Sequence, residues 1–131
     1  MIDLRIQGHG KYEKIGNYAR VRRIGDHVYI AGTTAIDTSG EVYAPGDTYK
    51  QTLFIFKERI AASLAKVDAS LEHVVLTRGF LTDISTAGDF VRAHGEVFAD
   101  ILPVSTGVQV VLTRPTLMVE IEVEAIVRDL A

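Results

Sequence analysis

The sequence predicts an α+β fold in which two helices cover one face of a β-sheet. Elements succeed one another in the order strand, strand, helix, strand, helix, strand, strand, which is typical of this class. Apolar residues recur at helical spacing in the middle of the chain, at Leu53, Phe56, Ile60, Leu64 and Val67. Near the end, "MVEIEVEAIV" alternates apolar and acidic residues strictly, as a strand with two unlike faces does.

The first elements are a pair of strands that follow an irregular segment over residues 1–16. Tyr18–Arg23 and His27–Ala31 are rich in β-forming residues, and Gly25 and Asp26 lie between them. Adjacent turn formers between such runs are typical of a hairpin. The following stretch "DTSGEVYAPGDT" is rich in turn formers and is predicted to be a loop.

Two helices follow, over residues 48–67 and 85–102. Thr48 and Gln51 have the spacing of a capping box at the start of the first helix. Pro103 ends the second helix, because proline cannot continue a helical hydrogen-bond ladder. The buried stripe of this second helix is predicted to contain Phe90, Val97, Phe98 and Ile101.

The remaining strands are predicted at residues 73–84, 105–112 and 118–127. The apolar residues of the last strand should face the helices, together with Thr106, Val108, Val110 and Leu112. The opposite face should then hold Glu120, Glu122 and Glu124 with Ser105, Gly107 and Gln109. On the central strand, Val75, Thr77, Gly79 and Leu81 are one candidate set for that second face. A face this apolar with no helix over it predicts self-association.

Length and composition favour one cytoplasmic domain over residues 1–131. No apolar run approaches the ~20 residues of a membrane span, and the start of the chain lacks the apolar core of a signal peptide. The chain has no cysteine, so a disulfide or a thiol nucleophile is excluded. The net charge of −3 argues against general nucleic-acid binding. Arg20, Arg22 and Arg23 are expected to form the solvated side of a strand.

Two groups of residues are candidates for chemistry. His94 lies on the apolar stripe of the second helix, where it is either a hydrogen-bonded core or interface histidine or part of a binding site. The glutamate row is either a solvated face or the source of one desolvated carboxylate that acts as an acid or base. The pattern alone does not choose among the three glutamates. No metal site is predicted, because the four histidines are scattered.

Several stretches in their order and spacing resemble the Rid (reactive intermediate deaminase, YjgF-type) family. They are "IGNYARVRRIGDHVYIAG", "VVLTRGFLTDI", "PVSTGVQV" and "VEIEVEAIV", and with the helix among them they span residues 15 to 128. The resemblance implies a chorismate-mutase-like fold, a homotrimeric barrel and three ligand clefts between subunits. It also implies hydrolysis of small enamine or imine metabolites with no cofactor.

The resemblance also implies a set of cleft residues. Glu120 matches the last-strand glutamate that handles water, and an alternative register places this role at Glu122. Tyr18 matches the cleft tyrosine and Gly32 the glycine that ends the second strand. Gly107 lies where a small or thiol residue usually lines the site, and Thr106 and His94 are further ligand-binding candidates.

The chain departs from the family pattern at Ser105. Deaminases of the family have arginine there, in Pro-x-Arg-Ser or Pro-x-Arg-Thr, where this chain has "PVST". A guanidinium holds a carboxylate with two charge-assisted bonds, whereas a serine offers one neutral bond. The loss typically costs about 2–3 kcal/mol of binding. Arg78 or Arg114 could supply another cation, but neither is at the family position.

Three functions follow as alternatives. The first is a deaminase-like hydrolase of imines or enamines, with standard 2-imino acid deaminase activity in doubt. The second is a non-catalytic homotrimer that binds a small metabolite. The third is an endoribonuclease or translation inhibitor, a role the family has also been given, which the acidic pI of about 5.8 argues against.

Overall fold

A computed structural model describes residues 1–128 and places six strands of this part of the chain in a single sheet. The sheet order is β1-β2-β3-β6-β4-β5, and every neighbouring pair is antiparallel except β4 and β5, which are parallel. The strands are β1 (Asp3–Ile6), β2 (Val21–Ile24), β3 (His27–Thr34), β4 (Val74–Leu81), β5 (Val104–Gln109) and β6 (Val119–Ile126). The predicted α+β class is confirmed.

Both predicted helices are present. The first comprises α2 (Thr48–Phe54), a π-helical segment (Ile55–Ile60) and α3 (Ala61–Ala65). The second is α4 (Ala87–Val97), which ends before Pro103 and not at it, so the prediction that this proline ends the helix is wrong. A short helix, α1 (Lys11–Gly16), precedes them. Within residues 1–128 no helix combines the length and the apolar character that crossing a membrane requires.

The two long helical bodies lie on one face of the sheet, as predicted. Burial alternates along β6, where Val119, Ile121 and Val123 are buried and the glutamates between them are half-buried. The core that these residues share with the helices includes Ile55, Phe56, Ile60, Leu64, Phe90 and Phe98. The opposite face, which we call the open face, is covered by neither helical body.

The prediction that residues 1–16 are irregular is wrong. Asp3–Ile6 pairs antiparallel with β2 and adds an edge strand to the sheet. A helix of two turns follows and ends at Asn17, whose φ of 54° is left-handed. Asparagine tolerates this conformation better than most residues do. The segment is too short for apolar periodicity to reveal either element.

The predicted capping box at the start of α2 is also wrong. Asp47 is the cap, and its carboxylate accepts a hydrogen bond from the backbone three residues on. Gln51 is instead fully buried, and its side-chain amide joins the helix to two other parts of the chain through the backbone of Ala44, Thr116 and Met118. Because the buried Gln51 amide has hydrogen-bond partners for its nitrogen and its oxygen, it stabilises a tertiary contact and does not cap the helix.

The assignment of faces on β4 and β5 needs a correction. Ser105, Gly107 and Gln109 pair with Thr77, Gly79 and Leu81, and these three in turn pair with the buried residues of β6. Paired residues point to the same side of a sheet, so all six lie on the helix-covered face, opposite the glutamates.

The open face therefore holds different residues from those predicted. It contains Val104, Thr106 and Val108 of β5 and Leu76, Arg78 and Phe80 of β4, beside the three glutamates. The pairing of β4 with β6 is irregular at Val75, between Val74 and Leu76. Val110 and Leu112 lie beyond the end of β5. Self-association through this face stays a prediction.

The arginine cluster before and within β2 is not uniformly solvated either. The Arg23 side chain is buried, and its guanidinium donates to the carbonyls of Gly25 and Val67. Arg20 is also withdrawn from solvent, because it pairs with a buried glutamate, whereas Arg22 stays half-exposed. The prediction that all three arginines form a solvated side is wrong, because Arg20 and Arg23 donate to backbone carbonyls inside the fold.

Candidate functional site

The three glutamates of β6 have different surroundings. Arg78 of β4 lies 3.0 Å from a carboxylate oxygen of Glu122 and 3.3 Å from one of Glu124. Glu120 makes no salt bridge with any residue in the described part of the chain. Arg78 therefore reduces the repulsion between like charges at Glu122 and Glu124, whereas Glu120 has no such cation partner within residues 1–128.

Glu120 lies over the backbone of Gly32 and is half-buried. A Cβ atom added at Gly32 would be only 2.9 Å from the Glu120 Cδ. Burial raises the pKa of Glu120, Arg20 opposes this shift, and Glu122 adds to it. A carboxyl group with a raised pKa can give up or take up a proton closer to neutral pH than an exposed one.

The backbone under Glu120 is held by an arginine that was not among the predicted site residues. The pairing of β3 with β6 is irregular between Ile30 and Thr33, which is where Gly32 lies. Arg20 donates from Nη1 to the carbonyl of Gly32 and, at 3.1 Å, to Oγ1 of Thr33. The irregular segment is thus fixed by a charged donor.

Arg20 is itself held by Glu13 of α1. Its Nε lies 3.2 Å from a Glu13 carboxylate oxygen, and the two side chains are only 13% and 6% exposed. The other oxygen of Glu13 accepts a hydrogen bond from the backbone of Gly8. The sequence did not predict this pair, since neither residue belongs to a recognisable motif and Arg20 was expected on a solvated face.

A second polar cluster lies on the helix-covered face, at the edge of the sheet. Thr77 donates from Oγ1 to Oγ of Ser105 over 2.8 Å. The same Oγ1 is 2.9 Å from Nε2 of His94 on α4. Ser105 is exposed, Thr77 is fully buried and His94 is half-buried, so a hydrogen-bonded chain extends from the surface into the core.

His94 is surrounded by aromatic rings. Its ring centroid lies 5.6 Å from that of Phe56, 5.8 Å from that of Phe90 and 4.7 Å from that of Phe98. Burial lowers the pKa of His94. The imidazole is therefore neutral at neutral pH.

The lowered pKa of His94 makes an acid-dependent loss of stability an expected result. The folded state holds the His94 proton less tightly than the unfolded state, whose pKa is about 6.5. Stability contributed by the neutral imidazole is therefore present above this value and falls as the pH drops below it. Urea unfolding at pH 7.5 and 5.5 should show a smaller acid loss for His94→Gln than for the parent chain. An equal loss in both proteins would contradict the assignment.

The other predicted cleft residues lie in separate places. Tyr18 lies between α1 and β2, is 43% exposed and packs its ring against Gly16. Gly107 is exposed on the helix-covered face beside Gly79, whereas Thr106 is exposed on the open face beside Arg78. Within one chain the fold places Glu120 against Gly32, and it links Ser105 to His94 through hydrogen bonds with Thr77. It leaves Glu120 and Ser105 on opposite faces of the sheet.

The open face also has a groove of about 460 Å³. It lies between β3 and the ion-paired side chains of Arg78, Glu122 and Glu124. Its polar lining comes from Arg22, Tyr29, Arg78, Glu122 and Glu124, and Glu120 does not border it. In residues 1–128 no cluster of three histidine, aspartate or glutamate side chains is arranged to hold a metal ion.

Comparison with known proteins gives a consistent result. The family profile described as Endoribonuclease L-PSP matches residues 10–127. An uncharacterised protein of Streptomyces coelicolor, SCO2049, is 34% identical over 125 residues, which cover 92% of this chain and 90% of that protein. The 3-aminoacrylate deaminase RutC of Acinetobacter baylyi is 28% identical, with coverage of 79% and 82%.

A solved structure agrees with these relatives. The crystal structure of Rv2704 from Mycobacterium tuberculosis, a member of the YjgF/YER057c/UK114 family, superposes with a TM-score of 0.84. It is 34% identical in sequence, and the match covers 96% of this chain and all of that one.

Proposed function

The chain belongs to the Rid/YjgF family, whose profile carries the name Endoribonuclease L-PSP, and from this premise we propose that it hydrolyses a small reactive imine or enamine. The reaction adds water across a C=N bond and releases ammonia or an amine. It requires a group that takes a proton from water and returns one to the leaving nitrogen. No cofactor is needed for this chemistry.

The observation that supports the proposal best is the environment of Glu120. Its two neighbours on β6 share an ion pair with Arg78, whereas Glu120 is half-buried over Gly32 with a raised pKa. A carboxyl group in this state can act as both acid and base in successive steps. Glu122, the residue of the alternative register, is occupied by its ion pair.

The cleft of this proposal needs more than one copy of the chain. Glu120 and Ser105 are on opposite faces of one sheet, so a single chain offers two separate half-sites. In the closed ring of three copies that we propose, one half-site of each chain would lie against the other half-site of its neighbour. The open face, with exposed Val104, Val108 and Tyr29, is the surface that such an assembly would cover.

Removal of the Glu120 carboxylate is expected to abolish turnover. Glu120→Gln keeps the shape but cannot transfer a proton, so ammonia release should fall by about 100-fold or more. The substrates are imines released in situ by flavin-dependent oxidases, one from an amino acid and one from a neutral amine. Glu124→Gln, on the same strand face, is the matched control and should retain activity.

The outcome also separates the two registers of the last strand. Loss of activity in Glu122→Gln with full activity in Glu120→Gln would transfer the role to Glu122. Release of ammonia at the uncatalysed rate by the parent protein with both substrates would exclude the hydrolase.

A non-catalytic binding protein is the second candidate, and Ser105 favours it. The hydroxyl that replaces the family arginine is neutral and already bonded to Thr77. Of the alternative cations, Arg78 is held by two carboxylates and Arg114 donates to the carbonyl of Gly40. A thermal shift with small metabolites in the absence of any turnover would support this function over hydrolysis.

Ribonuclease activity, which the family name mentions, has the weakest support. With a net charge of −3 and a pI of about 5.8 the chain has no excess of cations for the RNA backbone. Cleavage of RNA by highly purified protein that disappears in Glu120→Gln would support ribonuclease activity.

A further inference from the structure

We propose that Arg20 is a positioning residue for Glu120, and that through its ion pair with Glu13 the N-terminal helix α1 becomes part of the site. The Arg20 guanidinium is anchored by α1 and in turn holds the backbone against which the Glu120 carboxylate lies. The proposal rests on the proposed hydrolase function, since it names the residue that fixes the place and the charge of the carboxylate used there.

The Arg20 guanidinium bridges two parts of the chain that are distant in sequence. Its Nε lies 3.2 Å from a carboxylate oxygen of Glu13 in α1. Its Nη1 donates to the carbonyl of Gly32, to the hydroxyl of Thr33 at 3.1 Å and to the carbonyl of Ala31 at 3.3 Å. A guanidinium can serve such separate acceptors because its donors diverge from a rigid planar fork, whereas an ammonium group is a point charge.

The chemistry of the groups fixes the direction of each of these bonds. A guanidinium only donates and a carbonyl only accepts. The single hydroxyl hydrogen of Thr33 is donated to the carbonyl of Ala31 over 2.8 Å, so its oxygen is free to accept from Arg20. Thr33 is buried and the Arg20 side chain is only 13% exposed, so these bonds are shielded from water. They are therefore stronger than exposed ones.

The next residue of the irregular segment is held in the same way. Arg59 of the π-helical segment donates to the carbonyl of Thr34 over 2.7 Å, and Thr34 pairs with Glu120 across the sheet. Burial lowers the pKa of Arg59, Arg20 adds to this shift and Glu13 opposes it. The two arginines and Glu13 thus act on one another and together fix the backbone beside Glu120.

Gly32 lies between the Arg20 guanidinium and the Glu120 carboxylate. Arg20 contacts its carbonyl, and the Cδ of Glu120 lies 2.9 Å from the place that a Cβ of this residue would take. A shift of this backbone would therefore move the carboxylate. Arg20 also opposes the rise in the pKa of Glu120 that burial causes. The cation thus favours the ionised form, which is the form that takes a proton from water.

The other groups around Glu120 do not replace this cation. On its own strand Glu122 raises the pKa of Glu120 further. Arg78 of β4 is held in ion pairs by Glu122 and Glu124. The residues paired with Glu120 on β3 and β4 are uncharged, namely Thr34 and Phe80. Within residues 1–128, Arg20 is the cation that lowers the pKa of Glu120.

The first test measures the protonation of Glu120 directly and needs no turnover. The carboxyl carbons of glutamate are labelled with carbon-13 and titrated with NMR detection, and Glu120→Gln identifies the signal. We expect the midpoint of Glu120 to move to higher pH in Arg20→Met, because the cation that favours the ionised form is removed. Arg20→Lys retains a charge and should move it less. Arg92→Met, on the exposed side of α4, is the control and should leave the midpoint unchanged.

The second test measures turnover of the two imine substrates. Arg20→Lys cannot hold Glu13 and Gly32 with the geometry of the fork. Its kcat should therefore fall by about tenfold or more with KM nearly unchanged, as for a contact that matters in the transition state. Glu13→Gln, which removes the anchoring charge, should lower kcat by a smaller factor. In Arg20→Met the acid limb of the kcat profile should move to higher pH.

The outcomes separate this proposal from the proposed function. Circular dichroism and thermal unfolding show which variants are folded, and Arg20→Lys decides if Arg20→Met is not. The expected movement of the Glu120 midpoint in a protein that hydrolyses no imine supports the link between Arg20 and Glu120 and rejects the hydrolase. An active parent whose folded Arg20→Lys variant keeps its full kcat overturns the proposal and leaves the hydrolase intact. A Glu120 midpoint that is unchanged or lower in folded Arg20→Met also overturns it.

Discussion

Replacing Arg20 with methionine is expected to lower the free energy of unfolding by about 3–5 kcal/mol, the usual cost of removing one partner of a buried ion pair. Among residues 1–128, the substitution leaves the Glu13 carboxylate buried with only the Gly8 amide as a hydrogen-bond partner. It also removes the donors to the Gly32 carbonyl and the Thr33 hydroxyl. Urea unfolding of the parent and variant proteins measures the difference.

A double variant distinguishes the buried charge from lost packing. Adding Glu13→Gln to Arg20→Met removes the uncompensated carboxylate, so part of the lost stability should return. If Arg20→Met alone changes stability by less than about 1 kcal/mol, the pair is as weak as an exposed salt bridge. Arg20 would then not be the residue that fixes the irregular segment of β3.

Gly32→Ala is expected to lower turnover by about 100-fold while leaving the fold intact. Its Cβ would lie 2.9 Å from the Glu120 Cδ, so the carboxylate must move. A displacement of about 1 Å at a catalytic group can reduce a rate by this factor. The backbone itself accepts alanine, because Gly32 is not among the glycines with positive φ.

Gly88→Ala is the matched control for this prediction. A Cβ at Gly88 meets no atom within 4 Å, and the residue lies in α4 far along the chain from Glu120. It should retain activity and gain about 0.5–1 kcal/mol of stability, as glycine-to-alanine changes in helices do. Full activity in Gly32→Ala would show that the position of Glu120 over Gly32 does not matter for catalysis.

The main elements were predictable from the sequence because their patterns are long. The helical spacing from Leu53 to Val67 and the alternation from Val119 to Ala125 each extend over several turns or pleats. β1 and α1 were missed since four and six residues are too few for a period. Family resemblance added candidate cleft residues, and their roles stay predictions.

The faces of β4 and β5 were assigned wrongly for a different reason. Alternation shows which residues of a strand share a face but not which face that is when both are largely apolar. The parallel pairing of β4 and β5 shows which face of the sheet each residue lies on, and it places Ser105 beside Thr77. The link from Ser105 to His94 and the pair Glu13–Arg20 depend on tertiary contacts that no periodic pattern encodes, so only the fold could reveal them.

The position of β6 at the centre of the sheet has a consequence for biosynthesis. This strand leaves the ribosome after all the other described elements, yet it pairs with both β3 and β4. Until it arrives, these two strands remain edges whose backbone groups are open to pairing with other chains. The sheet can therefore be completed only after translation has passed Ile126. Slow synthesis or premature termination in the last strand would leave nascent chains prone to aggregation.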